Sequence, residues 1–350
     1  MRKIISVVGA RPNFIKLAAL HPYLKKSFNH VIVHTGQHYD YELSQNFFEE
    51  LSLPNPNYNL QVGSQASSDQ IKLIKSKSQK VLEREKPDLV LVYGDTNSTV
   101  GGAQASHAAK IPLAHVEAGV RSFDDSMPEE INRKTVDHLS NILFCPTQLA
   151  VKNLKNEGIK NNSYFTGDTM YEVLLKIKPS KSILSNLGIR PKEYYFATIH
   201  RQENTDNLKR LKTLIKSLSK LDRIVIFPLH PRTKKSASST KNDYGNIMFI
   251  DPVNFKNSIS LQQNSIMILT DSGGIQKEAY YLKIPCLTLR SKTEWPETVA
   301  SGWNKLVDCQ EKKILKCSRE TVLPKKHPNY FGNGDASIKI VQIIKEFLYD

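Results

Sequence analysis

Leu89-Val90-Leu91-Val92-Tyr93-Gly94-Asp95-Thr96-Asn97-Ser98-Thr99 decides the reading of the fold: an apolar run of strand length, a glycine, then residues that favour helix caps. An apolar run with no polar alternation is a strand buried on both faces, as in a parallel sheet covered by helices. Working outward, Lys3–Val8, Val31–His34 and Leu113–Val116 repeat the pattern in the first half. Tyr194–Ile199, Ile224–Pro228, Ile247–Ile250, Ile266–Thr270 and Pro285–Leu289 repeat it in the second. Helix-length amphipathic segments separate these runs, so the expected class is α/β, with doubly wound parallel sheets.

A chain of 350 residues exceeds what one core usually serves, so two domains are expected. Tyr171–Pro191 holds a helical stretch followed by Gly188 and Pro191, which puts the boundary in this region. The division is 1–175 for an N-terminal Rossmann-like domain and 176–335 for a C-terminal one. Residues 336–350 read as an apolar-faced helix packing back on the first domain, after a bend at Pro328–Gly334.

Hydrophobic residues make up 39% and charged residues 24%, and no apolar run approaches the roughly 20 residues a spanning helix needs. The apolar stretch behind Met1-Arg2-Lys3 is too short for a signal peptide, and Arg11 interrupts it. Cys145, Cys286, Cys309 and Cys317 show neither CxxC nor metal-ligand spacing, so they read as reduced thiols in a cytoplasmic protein. The formal charge of +15 is spread over helix faces such as Lys209, Lys212, Lys216 and Lys220. That is the pattern of a solvated surface, and neither a nucleic-acid nor a membrane partner is expected.

In such sheets ligands gather beyond the carboxyl ends of the strands, where helix N-termini offer free N–H groups to anions. At Val8-Gly9-Ala10-Arg11-Pro12-Asn13-Phe14-Ile15-Lys16, Pro12 suits the first helical turn, while Arg11 and Lys16 oppose the helix dipole. A bound diphosphate would neutralise all three. The run lacks GxGxxG, which argues against a dinucleotide fingerprint. Asp95 follows a buried strand, where capping by Asp95, Thr96 or Asn97 is the competing explanation. Glu117 ends the next strand, and Met127-Pro128-Glu129-Glu130 starts a helix. Dipole complementarity accounts for one of Glu129 and Glu130, but not for carboxylates at several ends of one sheet. Clustered carboxylates shift one another's proton affinity, as proton transfer at carbon requires.

In the second half His200 and Arg201 end a strand, and His230-Pro231-Arg232 end the next. In Leu269–Glu278, Ser272, Gly273 and Gly274 would open a helix whose bare N–H groups approach a phosphate. Glu278 lies four residues after Gly274 on the same face and could accept hydrogen bonds from ribose hydroxyls. An anion site beside a hydroxyl acceptor describes a nucleotide sugar.

At these residues the chain resembles the non-hydrolysing UDP-N-acetylglucosamine 2-epimerase family. The matching blocks run in order: Val7 to Lys16, GDTNST at Gly94–Thr99, HVEAG at His115–Gly119, PEEINR at Pro128–Arg133, HRQEN at His200–Asn204, LTDSGGIQKEA at Leu269–Ala279 and TEWPE at Thr293–Glu297. The wording of HTGQHYD at His34–Asp40, VYGDTNST at Val92–Thr99 and PLHPRT at Pro228–Thr233 is similar to members acting on UDP-2,3-diacetamido-2,3-dideoxyglucuronic acid. The resemblance implies two Rossmann-like domains facing a cleft, of glycosyltransferase B type, with UDP held mainly by the second. It implies C2 inversion by anti elimination of UDP to a 2-acetamidoglycal and re-addition to the opposite face, serving surface polysaccharide precursors. Carried onto this chain, Arg11, Lys16, Ser272, Gly273, Gly274 and Glu278 bind and stabilise UDP, and Asp95, Glu117, Glu129 and His200 supply acid, base and sugar contacts.

The chain departs from the family's pattern at Trp295, where many members have arginine, and at Gln202, where HRREN has its second arginine. Many bacterial relatives bind a second UDP-GlcNAc as activator, and Gln202 together with Asp40 implies loss of that site. A UDP-sugar is the expected partner and a homodimer the expected assembly, with no metal or redox cofactor. The rival readings are a glycosyltransferase of the same fold, the family's hydrolysing branch and a nucleic-acid-binding module. Strand-end acids argue against the last, because they would repel phosphates.

Overall fold

Lys3–Val8 (β1) runs through the middle of a seven-stranded parallel sheet. The other strands are Asn29–His34 (β2), Tyr58–Asn59 (β3), Leu89–Tyr93 (β4), Leu113–Val116 (β5), Ile142–Cys145 (β6) and Ser163–Phe165 (β7), in the spatial order β3-β2-β1-β4-β5-β6-β7. Ile5 pairs with Val31 on one side and Val90 on the other. The order reverses between β1 and β4, and this opens a crevice at their carboxyl ends. The computed structural model describes residues 1–37, 47–180, 182–229, 233, 244–320 and 322–349.

Alternation of side chains along β1 supplies both cores. Ile4 and Val8 join Phe14, Leu17, Leu20 and Leu24 of the helix Arg11–Ser27 on one face. Ile5 and Val7 join Ile74 and Val81 of Ser67–Glu85 and Ala103 of Asn97–Ala108 on the other. The helix Ala336–Tyr349 packs on Arg11–Ser27 and buries Ile340 and Ile344 fully, each side chain contributing roughly 2 kcal/mol.

The second sheet repeats the logic with Tyr194–Thr198 (β8), Ile224–Pro228 (β9), Ile247–Ile250 (β10), Met267–Thr270 (β11), Cys286–Thr288 (β12) and Asn304–Leu306 (β13). All pairings are parallel, in the order β10-β9-β8-β11-β12-β13, so β8 and β11 flank its reversal point. Two compact units result: Met1–Lys176 with Asn329–Asp350, and Ile177–Pro328. The return to the first unit therefore falls at Pro328–Asn329, ahead of the last helix. Nearly all of the +15 formal charge lies in the second unit. No helix among the described residues is long and apolar enough to cross a membrane.

Four strands lie outside the sequence-based expectation. β3, β7 and β13 have two or three residues each and include polar ones, too few to show a period. Ile142-Leu143-Phe144-Cys145 holds one β-branched residue, and its strand state follows from pairing with β5 and β7.

Candidate active site

In the first unit the turn after β1 and the turn after β4 are bound to each other through Asn13. Its Oδ1 accepts the N–H groups of Gly9 (3.2 Å) and Ala10 (3.1 Å), and its Nδ2 donates to the Tyr93 carbonyl at 2.7 Å. Gly9 is required by proximity, since a Cβ there would lie 1.9 Å from Ser98 Oγ and 2.0 Å from Thr35 Oγ1. Thr96 is the N-cap of Asn97–Ala108 and forms a capping box with Thr99. Capping therefore does not explain Asp95.

Asp95 accepts a charge-assisted hydrogen bond from Arg133 Nη2 at 2.5 Å, and Asn132 Nδ2 donates to its carbonyl at 2.8 Å. Both partners sit on the helix Pro128–Leu139. Arg133 Nη1 reaches Glu130 Oε2 at 3.2 Å. Glu130 is fully buried and accepts from Ser122 N (2.8 Å), Ser122 Oγ (2.8 Å) and Phe123 N (3.1 Å). Of the adjacent acids, Glu130 thus holds the loop before the helix, and Glu129 stands half-buried in its first turn.

Lys16 lies buried, with Nζ 3.2 Å from Glu117 Oε1. The pair closes over Gly94, where a Cβ would stand 3.3 Å from Nζ and 3.6 Å from Oε1. Gly94 has φ +65°, and Glu117 itself has φ +74°, a left-handed conformation that costs a non-glycine residue about 1 kcal/mol. Arg11 is exposed, its guanidinium 4.8 Å from the centre of the Phe47 ring. Around Gly94 the first unit thus gathers the Lys16–Glu117 pair and, one residue on, the Asp95–Arg133 pair.

Under this cluster His115 reaches the Gly94 carbonyl and Asp137, each at 2.7 Å. Asp137 also pairs with Arg121 at 2.7 Å and accepts the Gly119 N–H at 3.1 Å. Burial works to raise the Asp137 carboxyl, but the hydrogen bond and charge of His115, with Arg121, outweigh it and hold the group below its ordinary range.

In the second unit Asp271, after β11, is fully buried. It accepts the N–H of His200 (3.0 Å), the N–H of Arg201 (3.0 Å) and Asn204 Nδ2 (3.0 Å), tying the end of β8 to the end of β11. The His200 side chain is partly exposed, with Nδ1 3.9 Å from Asp271 Oδ1. Ser272 is the N-cap of Gly273–Tyr281, accepting from Ile275 N at 3.4 Å. A Cβ on Gly273 would stand 3.1 Å from Glu294 Oε2. Glu278 is buried and accepts Gln262 Nε2 at 2.6 Å. Lys277 Nζ lies 4.3 Å from the centre of the Trp295 ring, a cation–π contact at the position where the family often has arginine. Arg290 Nη1 donates to both oxygens of Glu294 (3.0 and 3.1 Å), and Arg290 Nε lies 3.3 Å from Glu203. Gln202 opens a short exposed helical turn, whereas Asp40, His230, Pro231 and Arg232 lie outside the described residues.

Sequence reasoning gave no role to Asn13, Arg133, Asp137, Asp271, Lys277 or Arg290. Asp271 was findable, because it follows its strand as Asp95 follows β4. Asp137 and Arg133 take His115 and Asp95 as partners from 22 and 38 residues away, and carry no local signal for those contacts.

The sequence model of the UDP-N-acetylglucosamine 2-epimerase family matches residues 23–345. A UDP-N-acetylglucosamine 2-epimerase homolog of Methanococcus maripaludis is 48% identical, the match covering 98% of this chain and 99% of that protein. The UDP-2,3-diacetamido-2,3-dideoxy-D-glucuronate 2-epimerase of Pseudomonas aeruginosa is 38% identical over 98% of this chain and 99% of its own. The crystal structure of Methanocaldococcus jannaschii UDP-GlcNAc 2-epimerase in complex with UDP-GlcNAc and UDP superposes with a TM-score of 0.91, at 41% identity, covering 98% of this chain and 99% of that one. With the match running nearly end to end, this chain belongs to the UDP-N-acetylglucosamine 2-epimerase family.

Proposed function

We propose that the protein inverts C2 of a UDP-activated 2-acetamido sugar, interconverting UDP-GlcNAc and UDP-ManNAc without net hydrolysis. A carboxylate of the first unit removes the C2 proton while the C1–O bond breaks and UDP leaves with the electron pair, giving a 2-acetamidoglycal. UDP then adds back to C1, and a proton reaches the other face of C2. Two faces need two proton-transfer groups, drawn from Asp95, Glu117, Glu129 and His200. The observation that carries this reading is the cluster around Gly94, where Lys16–Glu117 and Asp95–Arg133 set carboxylates beside cations. Carboxylates held beside cations at the strand ends are placed for proton transfer at a carbon bound over Gly94. Arg11 and Lys16, with the Ser272-Gly273-Gly274 helix start and Glu278, are assigned to UDP; free N–H groups and a helix dipole suit a departing diphosphate. The homodimer and the cytoplasmic location belong to the same reading.

A second substrate, the 2,3-diacetamido uronate sugar nucleotide, is favoured by the HTGQHYD and PLHPRT wording and by the Pseudomonas aeruginosa relative of that name. Turnover of the two UDP-sugars side by side decides between them. Intact UDP-sugar in both epimeric forms is the expected product. UDP with free sugar would support a hydrolase instead, and turnover of neither sugar would overturn the proposal.

A further inference from the structure

The partners of His115 restrict its protonation. Nε2 lies 2.7 Å from the carbonyl oxygen of Gly94, which can only accept, so Nε2 must carry a proton. Nδ1 lies 2.7 Å from Asp137 Oδ1, so a proton must also lie on that line. Asp137 takes two further donors on its other oxygen, Arg121 Nη2 at 2.7 Å and the Gly119 N–H at 3.1 Å, an environment built for a carboxylate. A neutral Asp137 would leave Arg121 with Glu157 as its only acidic partner among these groups.

Charge balance points the same way. The ionisable groups around the ring are Asp137 on the helix Pro128–Leu139, Arg121 and Glu157 beyond it, Cys145 on β6, and the Lys16–Glu117 pair across Gly94. Burial raises the Cys145 thiol, so it stays neutral. His115, Arg121 and Asp137 are fully enclosed. Two cations against Asp137 and Glu157 cancel, whereas loss of the proton between Nδ1 and Asp137 would leave one negative charge in excess; its place on the ring rests on the two further donors to Asp137.

β5 grips Gly94 on both sides, since the Gly94 N–H donates to the Val116 carbonyl at 2.9 Å and its carbonyl receives His115. The peptide so oriented is the one that carries the Asp95 N–H. We propose that His115 is a positioning residue held as a buried imidazolium, whose Nε2–H fixes the Gly94–Asp95 peptide and thereby the seat of Asp95 beside Lys16 and Glu117. The kinetic part of this inference rests on the epimerase reading; the protonation part does not.

The test uses the intact protein labelled with ¹⁵N-histidine, without substrate, at pH 8, above the ordinary titration range of imidazole. Comparison with His115→Gln assigns the ring, and cross-peaks to the Asp95 amide assign it should that variant not fold. Two protonated ring nitrogens are expected for His115. One nitrogen with the shift of a bare lone pair would overturn the proposal, whatever sugar the enzyme turns over. For a folded His115→Gln, kcat should fall on the order of tenfold or more with KM and UDP affinity within about threefold, because positioning is lost and UDP contacts are not. Removing a cation below Asp95 should also move the acid limb of the pH–kcat profile to higher pH. Unchanged kcat with an unmoved acid limb would refute the positioning role.

Discussion

Asp95 and Asp271 occupy equivalent places in two sheets of the same topology. Each follows the strand beyond the reversal point, and each precedes the N-cap of the next helix, Thr96 or Ser272. Their surroundings divide the work. Asp271 is sealed and spends its oxygens on two backbone N–H groups and Asn204, so it is part of the framework. The Asp95 side chain stays 23% exposed and pairs with the guanidinium of Arg133. A carboxylate that must take and return protons needs such access, whereas a loop anchor needs its absence. The charge distribution differs likewise: acids and bases nearly balance in the first unit, and cations dominate the second.

The sharpest way to break this comparison is Asp271→Ala. Stranding three buried donors should cost about 3 kcal/mol or more, read as loss of the second unit's transition in urea unfolding. A stable variant with lowered turnover would show that Asp271 acts in chemistry after all. Asp95→Asn should do the reverse, with turnover lower by on the order of a hundredfold, near 2.7 kcal/mol of barrier, and a urea midpoint almost unmoved.

Acid separates the units further. His30 of the first unit is half-buried against Ser6 (2.8 Å) and His21 (3.0 Å), with Lys25 acting on His21 and Tyr93 on Ser6. Burial, then the charge of His21, pushes its pKa down to about 3. The unfolded chain binds this proton near pH 6.5 and the folded chain near 3. The contribution of neutral His30 is therefore complete above pH 6.5 and is lost as pH falls toward 3. Well below pH 6.5 the first unit should lose up to about 1.4 kcal/mol per pH unit from this residue. Urea midpoints at pH 6 and pH 5 check this; a His30→Gln variant should show a smaller drop, and an equal drop would reject the assignment. The smallest effect expected is that of Ser272→Ala, about 1 kcal/mol of stability from the lost cap, with weaker UDP binding by calorimetry. A matching loss of UDP affinity in Thr96→Ala would erase the distinction between the two helix starts.

The two sheets were legible because Leu89–Tyr93 and its counterparts are apolar throughout, and strand-end residues such as Asp95, Glu117 and Ser272 stand where a parallel sheet presents ligands. β6 was not legible, because Ile142–Cys145 becomes a strand by pairing rather than by local preference. Nor could the sequence choose between Glu129 and Glu130, which both suit a first helical turn. The choice of Glu130 as loop anchor depends on Ser122 and Phe123, eight and seven residues away, turning their donors toward it. His115 was visible only as one letter of a motif, since its partners Gly94 and Asp137 lie 21 and 22 residues distant.

The central claim is that carboxylates of the first unit exchange the C2 proton while the diphosphate leaves and returns. The direct measurement is epimerisation in deuterium oxide, started from each UDP-sugar in turn and followed by proton NMR and mass spectrometry. Deuterium at C2 of the product, in step with epimerisation and with the diphosphate intact, is the predicted result. Rapid epimerisation with the C2 proton retained, or release of free sugar as the main product, would contradict it.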